Sequence, residues 1–233
     1  MGHFRWSNLS HLAKSLCVFV GWGQYLAASL SIPVVNDAVG GRSARSFTRE
    51  GCFTKIINTV KAGDIVVIEL GHNDGGSLTP TDNRKSDCTG SGAETCKTTY
   101  GDVSEIVLTF PSYLENAAKA IKAKGVSVVI SPQTPDNPYE TGKLMYVPCI
   151  FTDYAKLAAS TTSVGYVDHG QYTANAFHSC GASAVDAYFP NDHTHTSPAC
   201  AIVVANAFVK GLLCGSTAIE PYVTNLMVEG SCI

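Results

Sequence analysis

Charge is scarce in this chain of 233 residues: only 15% are Asp, Glu, Lys or Arg, and the formal net charge is −3. No basic stripe is available to neutralise phosphates, which argues against a nucleic-acid partner. Long uninterrupted apolar runs are also missing. Ser15 to Asn36 carries no charge, but Gln24, Pro33, Asn36 and several Gly and Ser break it up, so a membrane span is rejected. Gly21-Trp22-Gly23 lacks the third glycine of a dinucleotide loop, and no phosphate-loop lysine motif occurs. No signal peptide is evident, because His3, Arg5, His11 and Lys14 precede only a short apolar run, Leu16 to Val20, with no small-residue cleavage site. What is present, 45% hydrophobic residues with 21 Gly and 10 Pro, excludes a disordered tail, a collagen and a coiled coil. The length suits one globular domain that buries about three quarters of its unfolded surface.

Cysteine is plentiful, at nine, yet no Cys-x-x-Cys pair occurs. Two spacings look like loop staples: Cys88 to Cys96 across a polar Gly/Ser/Thr stretch, and Cys214 to Cys232, which would tie the C-terminal tail to the end of a helix. Cys17, Cys52, Cys149, Cys180 and Cys200 remain, an odd number, and read as small buried apolar side chains.

Extended and helical runs alternate from residue 21 onward. Trp22, Tyr25, Leu26, Ser29 and Leu30 share a helical face, and Ile32 to Asn36 is a short strand. Asp64 to Leu70, Val126 to Ser131 and Val164 to Asp168 are further strands, and Phe151 to Thr161 is a helix. Ile106, Phe110, Leu114, Ala117 and Ile121 form a helical stripe that Pro111 should kink or divide. Ser197 and Pro198 suit the N-cap and first residue of a last helix. Strands apolar on both faces and separated by helices predict a parallel sheet covered on both sides, class α/β.

Functional groups in such sheets gather beyond the carboxyl ends of the strands. Three segments qualify: Gly40 to Ser46, Gly71 to Gly76 and Phe189 to Pro198. In the third, Asp192 and His195 are close enough for the carboxylate to hold one imidazole nitrogen, which is half of a nucleophile-activating triad. Asn73 can offer a side-chain N–H and Gly41 a backbone N–H to an oxyanion. His193 and His195 with Asp192, and His72 or Asp74, are the alternative, a metal-dependent hydrolase site.

Read in order, GWGQYL, NDAVGGRSARSFTREG, VVIELGHNDGGSL, FPSYLENAAK, YVDHG and FPNDHTHTSP resemble the fungal rhamnogalacturonan acetylesterases of the SGNH, or GDSL-type, hydrolases. The resemblance runs from Trp22 to Ile233. It implies a flavodoxin-like three-layer αβα domain over residues 21–233, secreted and monomeric, that removes acetyl groups from pectic rhamnogalacturonan without a cofactor. It puts the oxyanion donors on Gly41 and Asn73, the acid and base on Asp192 and His195, and disulfides on Cys88 with Cys96 and Cys214 with Cys232. Arg42, Arg45 and Arg49 lie near Gly41, and Arg42 is expected to hold a galacturonate carboxylate.

One part of the pattern is missing. The family opens on an apolar strand running into Gly-Asp-Ser, whose serine is the nucleophile, and that tripeptide occurs nowhere here. Ser7, Ser10 and Ser15 are the only serines upstream, none in the Gly-Asp setting, and none is assigned as nucleophile. Residues 1–20 are an atypical segment, and the first strand of the sheet is expected to be absent or replaced. Either Cys17 to Val20 takes its place or this N-terminus is a mis-assembled gene model, the second being favoured because an interior strand is costly to lose. A chain that binds acidic glycan without cleaving it is the other function to weigh.

Overall fold

A computed structural model describes the backbone of residues 4–7 and residues 21–233. Strand β1 (Phe4–Ser7) is followed by 3₁₀ turns at Trp22–Gln24 and Leu26–Ser29, then β2 (Val34–Asn36), α1 (Ala44–Arg49), α2 (Cys52–Thr59) and β3 (Ile65–Leu70). A hairpin, β4 (Thr95–Tyr100) and β5 (Val103–Leu108), leads into α3 (Phe110–Lys122), β6 (Ser127–Pro132) and α4 (Ile150–Thr162). The chain ends with β7 (Gly165–Tyr166), α5 (His169–Cys180), α6 (Ala182–Tyr188) and α7 (Pro198–Cys214).

Five strands form one sheet in the order β2-β1-β3-β6-β7, every neighbouring pair parallel. This is the flavodoxin-type doubly wound order, whose switch point lies between the first and third strands of the sheet. β1 holds the interior position beside β2 and β3, with Phe4 opposite both Val34 and Ile65. The first strand is therefore replaced by Phe4–Ser7; Cys17 to Val20, given that place above, lies outside the described residues.

Alternation along β3 sends its side chains into two cores, as a fully buried strand must. Ile65 and Val67 join Trp22, Leu26, Phe177 and Phe208 under α5 and α7, whereas Val66 and Ile68 join Phe47, Ile56, Phe110 and Leu114 under α1 to α4. A polar cluster crosses the first core. The Trp22 indole N–H donates to Glu69 Oε1 at 3.1 Å, and His169 reaches Glu69 Oε2 at 2.8 Å and the Val204 carbonyl at 2.9 Å.

Two element expectations are corrected. Ile106 is not on a helix but on β5, 60% exposed, and Pro111 sits in the first turn of α3, where a missing N–H costs nothing and no kink follows. The stripe through Trp22 and Leu30 is two short 3₁₀ turns rather than an α-helix. Both staples are disulfides, Cys88–Cys96 and Cys214–Cys232. Of the other cysteines only Cys200 is buried as expected; Cys52 and Cys149 are half-buried, Cys180 is exposed, and Cys17 is outside the described residues. Among the described residues no helix is long and apolar enough to cross a membrane.

Candidate active site

Gly41 lies in the turn that leaves the carboxyl end of β2. Its φ of +72° is in the left-handed region, where a side chain is strained, so glycine is the residue that turns the chain into α1. Ser43 then caps that helix, its hydroxyl accepting from the Ser46 N–H while Ser46 answers to the Ser43 N–H. The following N–H, of Ala44, donates to Asp74 Oδ1 at 2.6 Å and so ties this turn to the loop after β3.

That second loop is tight for a reason in the sequence. Gly71 has φ +147°, and a Cβ there would run into the Gln133 side chain. The chain can therefore pass close to β6 and set His72, Asn73 and Asp74 at the edge of the sheet. Asn73 Oδ1 accepts from the Lys85 ammonium at 3.2 Å. Asp74 is buried beside Asp87, and the Arg45 backbone N–H favours the Asp87 carboxylate only weakly against that burial. Burial first, and then for Asp87 the neighbouring Asp74 charge, raises both carboxyls far above their ordinary range. Burial thus favours the protonated form of both acids.

The third loop precedes α7. Asp192 Oδ1 accepts from the Thr194 N–H at 2.8 Å and the His195 N–H at 2.7 Å, and Oδ2 meets His195 Nδ1 at 2.9 Å. Burial opposes ionisation of Asp192, but these donors outweigh it and hold its carboxyl below the ordinary value. A carboxylate on Nδ1 fixes the tautomer with its lone pair on Nε2, the form a general base needs. The His195 and Asp192 side chains are 43% and 40% exposed. Ser197 closes the turn by donating its N–H to the Tyr188 carbonyl and capping α7.

The three loops meet. Burial pushes the His72 imidazole below its ordinary value, and His195 is near enough to push it further. His72 also faces Gln133 Nε2 at 3.5 Å and Asp136 at 3.6 Å. The Asn137 N–H donates to the His193 carbonyl at 2.7 Å, so the loop after β6 braces the Asp192 turn. A cavity of about 230 Å³ lined by Gln133, Asp136, Asn137, Tyr146 and Cys149 lies in that loop. A larger one, about 550 Å³, lies between α5, α7 and the C-terminal tail and touches none of these site residues.

Arg42 donates to Glu50 at 2.8 Å and to the Gly40 carbonyl at 2.9 Å. Arg45 is fully buried on Asp82 and Glu105, and Arg49 joins Glu105. Lys85, which spacing did not single out, brings its ammonium to Asn73. The histidines considered for metal stand apart, His193 on Glu140 at 3.2 Å and His195 on Asp192. Among the described residues no group of three or more His, Cys, Asp or Glu could hold a metal ion. Ser10 and Ser15 lie outside the described residues; β1 ends at Ser7, on the carboxyl edge beside β3.

Comparison with known proteins follows this geometry. The family model described as GDSL-like lipase/acylhydrolase matches residues 4–208. A rhamnogalacturonan acetylesterase of Emericella nidulans is 52% identical over 213 residues, 91% of this chain and 86% of that protein. A probable rhamnogalacturonan acetylesterase of Bacillus subtilis is 26% identical, covering 82% of each chain. Among solved structures, a Bacillus subtilis protein superposes with TM-score 0.70 at 20% identity over 91% of this chain, which spans 55% of its length. An acetyl xylan esterase from Geobacillus stearothermophilus superposes with TM-score 0.56 at 16% identity over 90% of this chain and 92% of its own.

Proposed function

The chain belongs to the GDSL-like lipase/acylhydrolase family, and from that premise we propose that it is a secreted, monomeric carbohydrate O-acetylesterase that removes acetyl groups from pectic rhamnogalacturonan. The observation that carries the reading is the Asp192–His195 pair, 2.9 Å apart, in a chain so close to a named rhamnogalacturonan acetylesterase. The two disulfides suit an oxidising, extracellular setting.

The chemistry is acyl transfer. A hydroxyl attacks the acetyl carbonyl while His195 Nε2 takes its proton, and Asp192 stabilises the imidazolium that forms. The Gly41 N–H and the Asn73 amide receive the oxyanion. His195 returns the proton to the departing sugar oxygen, and water attacks the acetyl-enzyme by the same route. The nucleophile belongs on the segment that leaves β1, because that strand stands at the switch point between the loops bearing Gly41 and Asn73.

Acetate release from acetylated rhamnogalacturonan, run beside labelling by a serine-directed phosphonate, tests this. Release together with one labelled serine near the end of β1 is expected. The absence of Gly-Asp-Ser favours a second reading, a chain that binds acidic glycan without cleaving it. Oligosaccharide binding without acetate or label would establish that one instead.

A further inference from the structure

We propose that Lys85 is a positioning residue of this site, holding the Asn73 amide in the orientation that aims its N–H at the oxyanion. The inference rests on the acyl-transfer reading above. Its geometry is specific: the ammonium donates to Asn73 Oδ1 at 3.2 Å, and a Cβ built on Gly41 would stand only 3.8 Å from Lys85 Nζ. Lys85 therefore lies over the turn of one oxyanion donor while gripping the carbonyl of the other.

An Asn side chain can present either its oxygen or its nitrogen to a given point, and the two flips differ little in shape. Only one of them aids an oxyanion. A cation on Oδ1 settles the choice, since the flipped amide would turn N–H groups towards an ammonium. Lys85 is half-buried and makes no ion pair among the described residues. A positive group held beside the place where negative charge develops helps to stabilise it.

The loop places Lys85 without relying on the side chain itself. Asn83 Oδ1 accepts from the Lys85 N–H at 2.8 Å and the Ser86 N–H at 2.7 Å, and Ser86 Oγ donates to the Gly75 carbonyl at 2.9 Å. Removing the ammonium thus leaves the backbone anchored to the Asn73 loop.

The test uses the full chain with a small neutral acetyl ester, so that attraction of an acidic sugar plays no part. Lys85→Met should lower kcat about tenfold or more with KM little changed, a share of the ~10²–10³ expected for a lost oxyanion donor. Lys85→Arg should restore most of it. In an Asn73→Ala background, Lys85→Met should cost nothing further. Wild-type kcat in Lys85→Met, or an undiminished loss in the Asn73→Ala background, would overturn the proposal. Should the wild-type chain hydrolyse no ester, the acyl-transfer reading fails by itself, and Lys85 is still judged by NMR. A shift and broadening of the Asn73 side-chain amide in Lys85→Met supports the positioning role, and an unchanged signal refutes it.

Discussion

The Asp74–Asp87 pair makes the loops bearing Gly41 and Asn73 sensitive to pH at the level of single atoms. Asp74 Oδ1 accepts from the Ala44 N–H, and the Asp74 charge is one of the causes that raise Asp87. Both carboxyls have folded values raised above the unfolded one. Their contribution to stability is therefore complete below the ordinary carboxylate value of about 4 and is lost as pH rises through the folded values. Denaturant midpoints between about pH 4 and pH 8 should fall with rising pH in the wild type and stay flatter in Asp87→Asn. At this scale the sequence was legible where partners are neighbours: Asp192 and His195 are three residues apart and meet. Arg42 was not, because its carboxylate partner, Glu50, lies at the far end of α1. Nor was Lys85, whose place depends on Asn83 and Ser86 docking onto Gly75.

Elements with a buried face could be read from periodicity, and those without one could not. β3, β6, α4 and α7 follow their apolar patterns closely. β4 is largely exposed and polar, β5 turns Val103 and Ile106 to the outside, and their ladder closes through a two-residue turn at Gly101, φ +60°, so no buried face marks them. The helical spacing of Ile106 with Phe110 crosses a strand–helix boundary by coincidence. The disulfides act at this scale too. Cys214–Cys232 ties the tail to the end of α7, a tail whose Val223 bridges to Leu30 and whose Tyr222 carbonyl accepts from Ser31. Closing a loop of that size stabilises by roughly 3 kcal/mol, so Cys232→Ser should lower Tm by about 6–12 °C in a thermal scan. Added reductant should then change the variant's Tm less than the wild type's.

Across the whole molecule, the sheet depends on a strand that the sequence did not reveal. β1 carries no pattern that sets it apart, yet it separates β2 from β3 and supplies both with partners. Trp6 pairs with Asn36 on one side and Val67 on the other, so proline there removes a backbone donor from an interior strand. Trp6→Pro should cost about 1–3 kcal/mol for the ladder acceptor it leaves unsatisfied, seen as a lowered urea midpoint or loss of native circular dichroism. A wild-type midpoint would show that β1 is dispensable to the sheet. The family match beginning at residue 4 agrees with β1 belonging to the domain.

The position of β1 also governs the order in which the molecule can assemble during synthesis. Phe4 leaves the ribosome ahead of its partner Ile65 by ~60 residues, a delay of about 3–12 s at ordinary elongation rates. Throughout that interval β1 presents an unpaired edge on its β3 side, so the nascent chain should lean on chaperones until β3 emerges and the sheet can close around the earlier strand.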